Sequence, residues 1–252
     1  MTDAFWLLPV LFAGAAVAGW IDAIAGGGGL VTIPLLLAFG LPPQTVLGTN
    51  KFQASFGSFT AAAYHVRKGT VRLDDALPGI LYTLAGAALG TMAVQLVSAS
   101  LLTGIIPFLL LAIAVYMLFT PSLGHRPENP RFRRGVFYAA AGLGFGFYDG
   151  FFGPGVGSFW AIAFVLGLGF TLTTATGYTK VMNFTSNIVS CVLFLAGGHV
   201  WFAAGIVMGA GQILGSRIGS GMVIRRGVKF IRPIFVTMVI LTTLNLLYNR
   251  FF

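Results

Sequence analysis

The chain has 252 residues, 57% of them hydrophobic and 8% charged, with a net charge of +9. A soluble domain is about 25% charged, so this composition excludes a water-soluble enzyme or regulatory domain. It fits a chain that crosses a bilayer several times. The positive charge is no nucleic-acid signal, because eleven of the fifteen Lys and Arg fall in three clusters, within 67–72, 126–134 and 225–232, as the positive-inside rule expects of cytoplasmic loops.

No charge occurs between Ala76 and Arg126, or between Val181 and Ser216, and a spanning helix needs about 20 mainly apolar residues. The start, Met1 to Trp6, lacks the basic region of a cleaved signal peptide, so the first helix is expected to stay. Segment A covers residues 5–25 and runs into Gly26-Gly27-Gly28-Gly29. Segment B, residues 30–39, is about 10 residues, or ~15 Å at helical rise, which is half a bilayer. Gly40-Leu41-Pro42-Pro43 ends it. Segment C, residues 45–66, holds Lys51, Gln53, Ser55, Ser58 and Thr60, too polar for a helix facing lipid. Segment D is 76–97, with Gly86-x-x-x-Gly90, and segment E is 101–120.

The second half repeats this order, with A′ at 135–152, B′ at 156–166, C′ at 172–196, D′ at 201–224 and E′ at 233–248. Asp22 and Gly26 recur 127 residues later as Asp149 and Gly153. Lys51, Gly69, Gly86 and Gly90 recur 129 residues later as Lys180, Gly198, Gly215 and Gly219. One steady offset over so many positions implies duplication. The loop after C is basic (Arg67, Lys68, Arg72) while the loop after C′ is neutral, and the loops after D and D′ are reversed. Equivalent loops therefore face opposite sides. The expected fold is an all-α polytopic membrane protein of two inverted repeats, about five helical segments each, with broken or re-entrant helices at the glycine clusters. Residues 1–120 form the first repeat, 121–134 a cytoplasmic connecting loop and 135–252 the second. Both termini are expected outside the cytoplasm, with membrane lipid around the bundle. Three crossings plus a re-entrant hairpin per half satisfy the pattern as well as five segments do.

Setting aside the loop bases, Arg250 and the acids near loops or termini leaves Lys51, Lys180, Arg217, Asp22 and Asp149. Intramembrane charges are functional suspects. Lys51 lies in Gly48-Thr49-Asn50-Lys51-Phe52-Gln53 and Lys180 in Thr179-Lys180-Val181-Met182-Asn183, with Asn187 beyond. A cation beside amides and a broken helix end suits an anion. The lysines have three readings: substrate contact, pairing with an Asp of the same or the other repeat, and snorkelling. Asp22 and Asp149 either cap the breaks and pair with lysine or couple protons. Gly27, Gly28 and Gly155 can bring backbone N–H groups to a ligand. The glycines of D and D′ read as close packing. Arg217 reads as a snorkelling base, with an anion gate as the alternative. His65, His125 and His199 read as interfacial, and Trp6, Trp201 and Tyr248 as an aromatic belt. Cys191 is the single cysteine. No metal site, cofactor motif, Walker A run or catalytic elbow occurs, so no enzyme and no ATPase is expected.

These motifs carry a resemblance. Gly19-Trp20-Ile21-Asp22-Ala23-Ile24-Ala25-Gly26-Gly27-Gly28-Gly29, Gly48-Thr49-Asn50-Lys51, Arg67-Lys68-Gly69, Gly153-Pro154-Gly155, residues 179–187 and Gly211-Gln212 together resemble the sulfite exporter TauE/SafE family, also called TSUP. The resemblance implies a bacterial-type inner-membrane permease for a sulfur-containing anion such as sulfite or an organosulfonate. It also implies about eight spans, fewer than the ten segments above unless B and B′ are partial. The expectation is a secondary transporter working by alternating access. A passive anion channel and a non-transporting scaffold or receptor are the alternatives. A homodimer stays open, since no residue pattern sets an oligomeric state.

Overall fold

The computed structural model describes residues 7–119 and 129–226. Segment E′, Trp6, His125 and Tyr248 lie outside the described residues. Among the described residues the secondary structure is helical: α1 (Leu7–Ala25), α2 (Gly29–Leu37), α3 (Pro43–Arg67), α4 (Leu73–Leu96), α5 (Ala99–Phe119), α6 (Arg134–Phe151), α7 (Val156–Leu168), α8 (Leu172–Ala196) and α9 (Phe202–Arg226). They correspond in order to the nine segments A to D′ expected over this span. The protein is an all-α membrane protein: α1, α4 and α8 are long and apolar enough to cross a bilayer by length and composition.

Local chemistry sets the ends. Pro43 starts α3 at the position where a missing N–H costs nothing. Gly26 ends α1 with φ +76°, and Gly153 and Gly155 separate α6 from α7 with φ +100° and +81°. Left-handed backbone of this kind is readily adopted by glycine alone. Helix α2 has 9 residues and α7 has 13, both short of the roughly 20 that a crossing needs. Segments B and B′ are therefore partial.

Glycine seams reveal helix direction. Gly211, Gly215 and Gly219 of α9 lie against Phe12, Ala16 and Trp20 of α1 in ascending order, so these helices are parallel. Gly142, Gly146 and Gly150 of α6 ascend in the same way against Tyr82, Thr83 and Ala87 of α4. A methyl on Gly219 would fall 2.6 Å from the Trp20 carbonyl oxygen, and one on Gly146 the same distance from that of Thr83. The glycines let backbones touch, as small residues do in membrane helices. Helices α9 and α3 are also parallel, with Gly205 on Phe52 and Gly209 on Phe56, as are α4 and α8, with Gly79 on Met182 and Thr91 bonded to Ser190. Between α3 and α8 the order reverses. Gly48 meets Phe194, Phe59 meets Phe184 and His65 meets Gly177. So α1, α3 and α9 run one way, and α4, α6 and α8 the other.

Two apolar clusters flank the bundle centre. One joins Leu11, Ile33 and Leu47 to the stripe Leu102, Ile106, Leu110 and Ile113 of α5. The other is aromatic, with Trp160 stacked on Phe164 at 5.1 Å and Tyr138 and Tyr178 beside them. Outward faces carry exposed large apolar residues such as Leu81, Leu89, Val192 and Ile206, as lipid contact requires. Buried polar side chains concentrate instead on α3 and α8, from Thr49 to Ser58 and from Thr176 to Ser190.

Candidate functional site

Helices α1 and α6 both stop inside the bundle, and the two breaks touch. A methyl on Gly157 would lie 2.5 Å from the Gly26 Cα. The Ser158 hydroxyl donates to the Ala25 carbonyl at 2.6 Å, satisfying one of the carbonyls left over where α1 ends. The Tyr148 hydroxyl donates to the Pro154 carbonyl at 2.7 Å and pins the second break.

Each lysine reaches across to the aspartate of the other half. The Lys51 ammonium, on α3, donates to Asp149 at the end of α6 and to the Asn187 amide oxygen at 3.3 Å. The Ser186 hydroxyl donates to the other Asp149 oxygen. The pair is buried, with side-chain exposures of 2% and 4%. Lys180, on α8, donates to the backbone carbonyl of Asp22 and, at 3.2 Å, to its carboxylate. Asp22 also accepts the Gly28 N–H at 3.3 Å, so it caps the first break. Its side chain stays 22% exposed. Lys51 and Lys180 are each the ninth residue of a 25-residue helix. Because α3 and α8 are antiparallel, the two lysines lie on opposite sides of the helix midpoints, ~6 Å from each.

Between the breaks lies a small polar cavity of about 30 Å³, roomy enough to hold water. Asp22, Asp149 and Lys51 line it with Asn50, Gln53, Asn183, Asn187, Gln212 and the break residues Gly26, Gly28, Gly29, Gly153 and Gly155. Asn50 is held by the Thr32 hydroxyl at 2.6 Å and the Gln53 amide at 2.9 Å. The Gln53 Oε1 and Asn183 Oδ1 atoms are buried without a hydrogen-bond partner. The four ionised groups cancel in pairs. No grouping of metal-ligating side chains occurs among the described residues.

Of the residues expected to form a site, Asn50, Lys51, Gln53, Asn183, Asn187, Gly28, Gly155, Asp22 and Asp149 converge on this cavity. Gly27 is not among its lining residues, and Lys180 reaches it only through Asp22. Sequence reasoning left out Gln212 and Ser186. Gln212 is the one amide in α9, a signal that could have been read. Ser186 matches Gly57 in the first half, so the repeat hid it. His65, expected at an interface, is fully buried, its Nδ1 3.0 Å from the Thr70 hydroxyl. It packs where α8 passes α3 at Gly177. Arg217 is exposed on α9 and is not part of the cavity wall.

The family model for "Sulfite exporter TauE/SafE" matches residues 11–246. A probable membrane transporter protein of Haemophilus influenzae is 46% identical over 97% of this chain and 96% of its own length. The probable membrane transporter protein YfcA of Escherichia coli K12 is 46% identical over 96% of this chain and 90% of its own. Probable membrane transporter protein ORF9 of a Sinorhizobium species is 44% identical over 97% and 94%. No solved structure matches. Relatives and family are membrane transporters, not enzymes. The chain belongs to the sulfite exporter TauE/SafE family.

Proposed function

We propose that this chain is a secondary permease of a bacterial inner membrane that moves a small sulfur-containing anion, such as sulfite or an organosulfonate, by alternating access. The observation that carries the reading is the polar cavity where two helix breaks meet, walled by crossed Lys–Asp pairs and by the amide side chains of Asn50, Gln53, Asn183 and Asn187. Broken helices meeting between two halves are where secondary transporters hold substrate. Lys51 and Lys180 supply positive charge, and Asn50, Gln53, Asn183, Asn187 and the N–H groups of Gly28 and Gly155 supply hydrogen bonds. The halves 1–120 and 135–252 act as inverted copies, joined by a cytoplasmic loop over 121–134. The opposed directions of α1 and α6, of α3 and α8, and of α4 and α9 support this, as does the reversed charge of equivalent loops. In this reading both termini lie outside the cytoplasm, which the same charge pattern supports.

The test is counterflow of radiolabelled sulfite, sulfate and methanesulfonate in proteoliposomes. Lys51→Ala and Lys180→Ala are each expected to cut flux about tenfold or more, the scale of a lost charge-assisted hydrogen bond, while size-exclusion chromatography still shows folded protein. Full flux from both variants would remove the anion site. Ohmic single-channel currents without counterflow would replace the carrier with a channel. No flux of any anion would point to a scaffold.

A further inference from the structure

We infer that Asp22 is the proton-coupling residue and that the cavity accepts a monoanion together with one proton. This rests on the reading of the cavity as an anion site and adds to it the coupling ion and the residue that carries it.

The argument starts from charge balance. Lys51 with Asp149, and Lys180 with Asp22, sum to zero. Both lysines are at least 98% buried, so neither is a spare cation awaiting an anion. Adding a monoanion to this neutral centre leaves one uncompensated negative charge among buried groups, which is heavily penalised. A proton on one carboxylate restores neutrality and frees a lysine. The two carboxylates differ in how tightly they are held. Asp149 has both oxygens engaged, by the Lys51 ammonium and the Ser186 hydroxyl, and is nearly enclosed. The Asp22 carboxylate has longer bonds, 3.2 Å to Lys180 and 3.3 Å to the Gly28 N–H, and is the more exposed. It also faces the cavity.

The groups around Asp22 agree with the assignment. From α8 it meets Lys180, and across the cavity lie Lys51 of α3 and Asp149 of α6. His65 lies further along α3, beside Gly177 of α8. Among the described residues, α2, α7 and α9 turn no ionisable group toward it: Thr32, Ser158 and Gln212 are the polar side chains they present near the breaks. In the coupled step a proton adds to an Asp22 carboxylate oxygen. The Lys180 ammonium gives up its bond to that carboxylate and donates to the incoming anion. The cavity gains one negative and one positive charge. Anion and proton then cross together, and release on the far side re-forms the ion pair.

Methanesulfonate is the probe of choice, because it stays fully ionised at physiological pH and any proton that moves belongs to the protein. The purified full chain is reconstituted in liposomes holding a pH-sensitive dye. The expected result is about one proton per anion, no net current, and an affinity that rises by up to about tenfold per pH unit of acidification, the limit for one linked proton. Asp22→Asn, a permanently neutral group, is expected to bind the anion with less than about twofold change across the same range. Methanesulfonate flux that carries one negative charge and no proton would overturn the coupling while leaving the anion site standing. An undiminished pH slope in Asp22→Asn would overturn the assignment to Asp22. No binding or flux of methanesulfonate, sulfite or sulfate at any pH would remove the anion site, and this inference with it.

Discussion

Lys51 and Lys180 occupy equivalent positions in the two halves, yet their surroundings differ. Asn187 and Ser186 surround the Lys51 pair, whereas in the first half Ser58 and Gly57 hold the matching positions. A Cβ on Gly57 would press on the Gln212 and Ser216 side chains, so enlarging it would displace the Gln212 amide that lines the cavity. Breaking a buried ion pair strands a charge and costs about 3–5 kcal/mol. Asp149→Ala is therefore expected to lower the melting temperature in detergent far more than Asp22→Ala does, because Asp22 is already partly exposed and Lys180 keeps the backbone carbonyl of residue 22 as a partner. Equal losses would contradict the division of labour. The five lone charges were legible as a short list, since each stands out in an apolar run. Their pairing was not: the partners of Lys51 and Lys180 lie 98 and 158 residues away, and a repeat pattern allows pairing within a half as well as between halves.

Among the helices, glycine serves two purposes that sequence alone blends. At Gly26 the backbone needs a positive φ and another backbone touches it. Along α4, α6 and α9 the φ is ordinary and the need is closeness. Gly90→Ala presses a methyl into the Phe147 carbonyl, whereas Gly144→Ala on α6 meets nothing within 4 Å. The first is expected to reduce folded yield and thermal stability, and the second to stabilise slightly, by roughly the ~1 kcal/mol that separates Ala from Gly in a helix. A thermal-shift comparison in one detergent checks both. The four consecutive glycines at the first break serve packing as well as the site: Gly26 packs on Gly157 and Gly29 on Pro154, while Gly26, Gly28 and Gly29 also wall the cavity. Helix boundaries were legible because Pro42-Pro43 and the glycine pairs punctuate an otherwise continuous apolar pattern. Whether B and B′ crossed was not, because a 10-residue apolar run reads alike as half a crossing or a buried core helix.

For the whole molecule, the all-helical membrane fold and the order of its segments were legible from the apolar runs and the glycine and proline breaks between them. The burial of His65 and the place of Gln212 in the cavity wall came only from how α8 and α9 pack on α3. The topology has its own test. With Cys191 replaced by serine, Lys68→Cys is expected to react with a membrane-impermeant maleimide only after cells are opened, and Ser100→Cys in intact spheroplasts. The opposite labelling would invert the orientation. The direct test is a crystal structure with selenite, the heavier analogue of sulfite, located by its anomalous scattering. The account predicts a peak between Gly26–Gly29 and Gly153–Gly157, within hydrogen-bond reach of Lys51 or Lys180. A peak confined to the arginines of the surface loops, with none between the breaks, would contradict it.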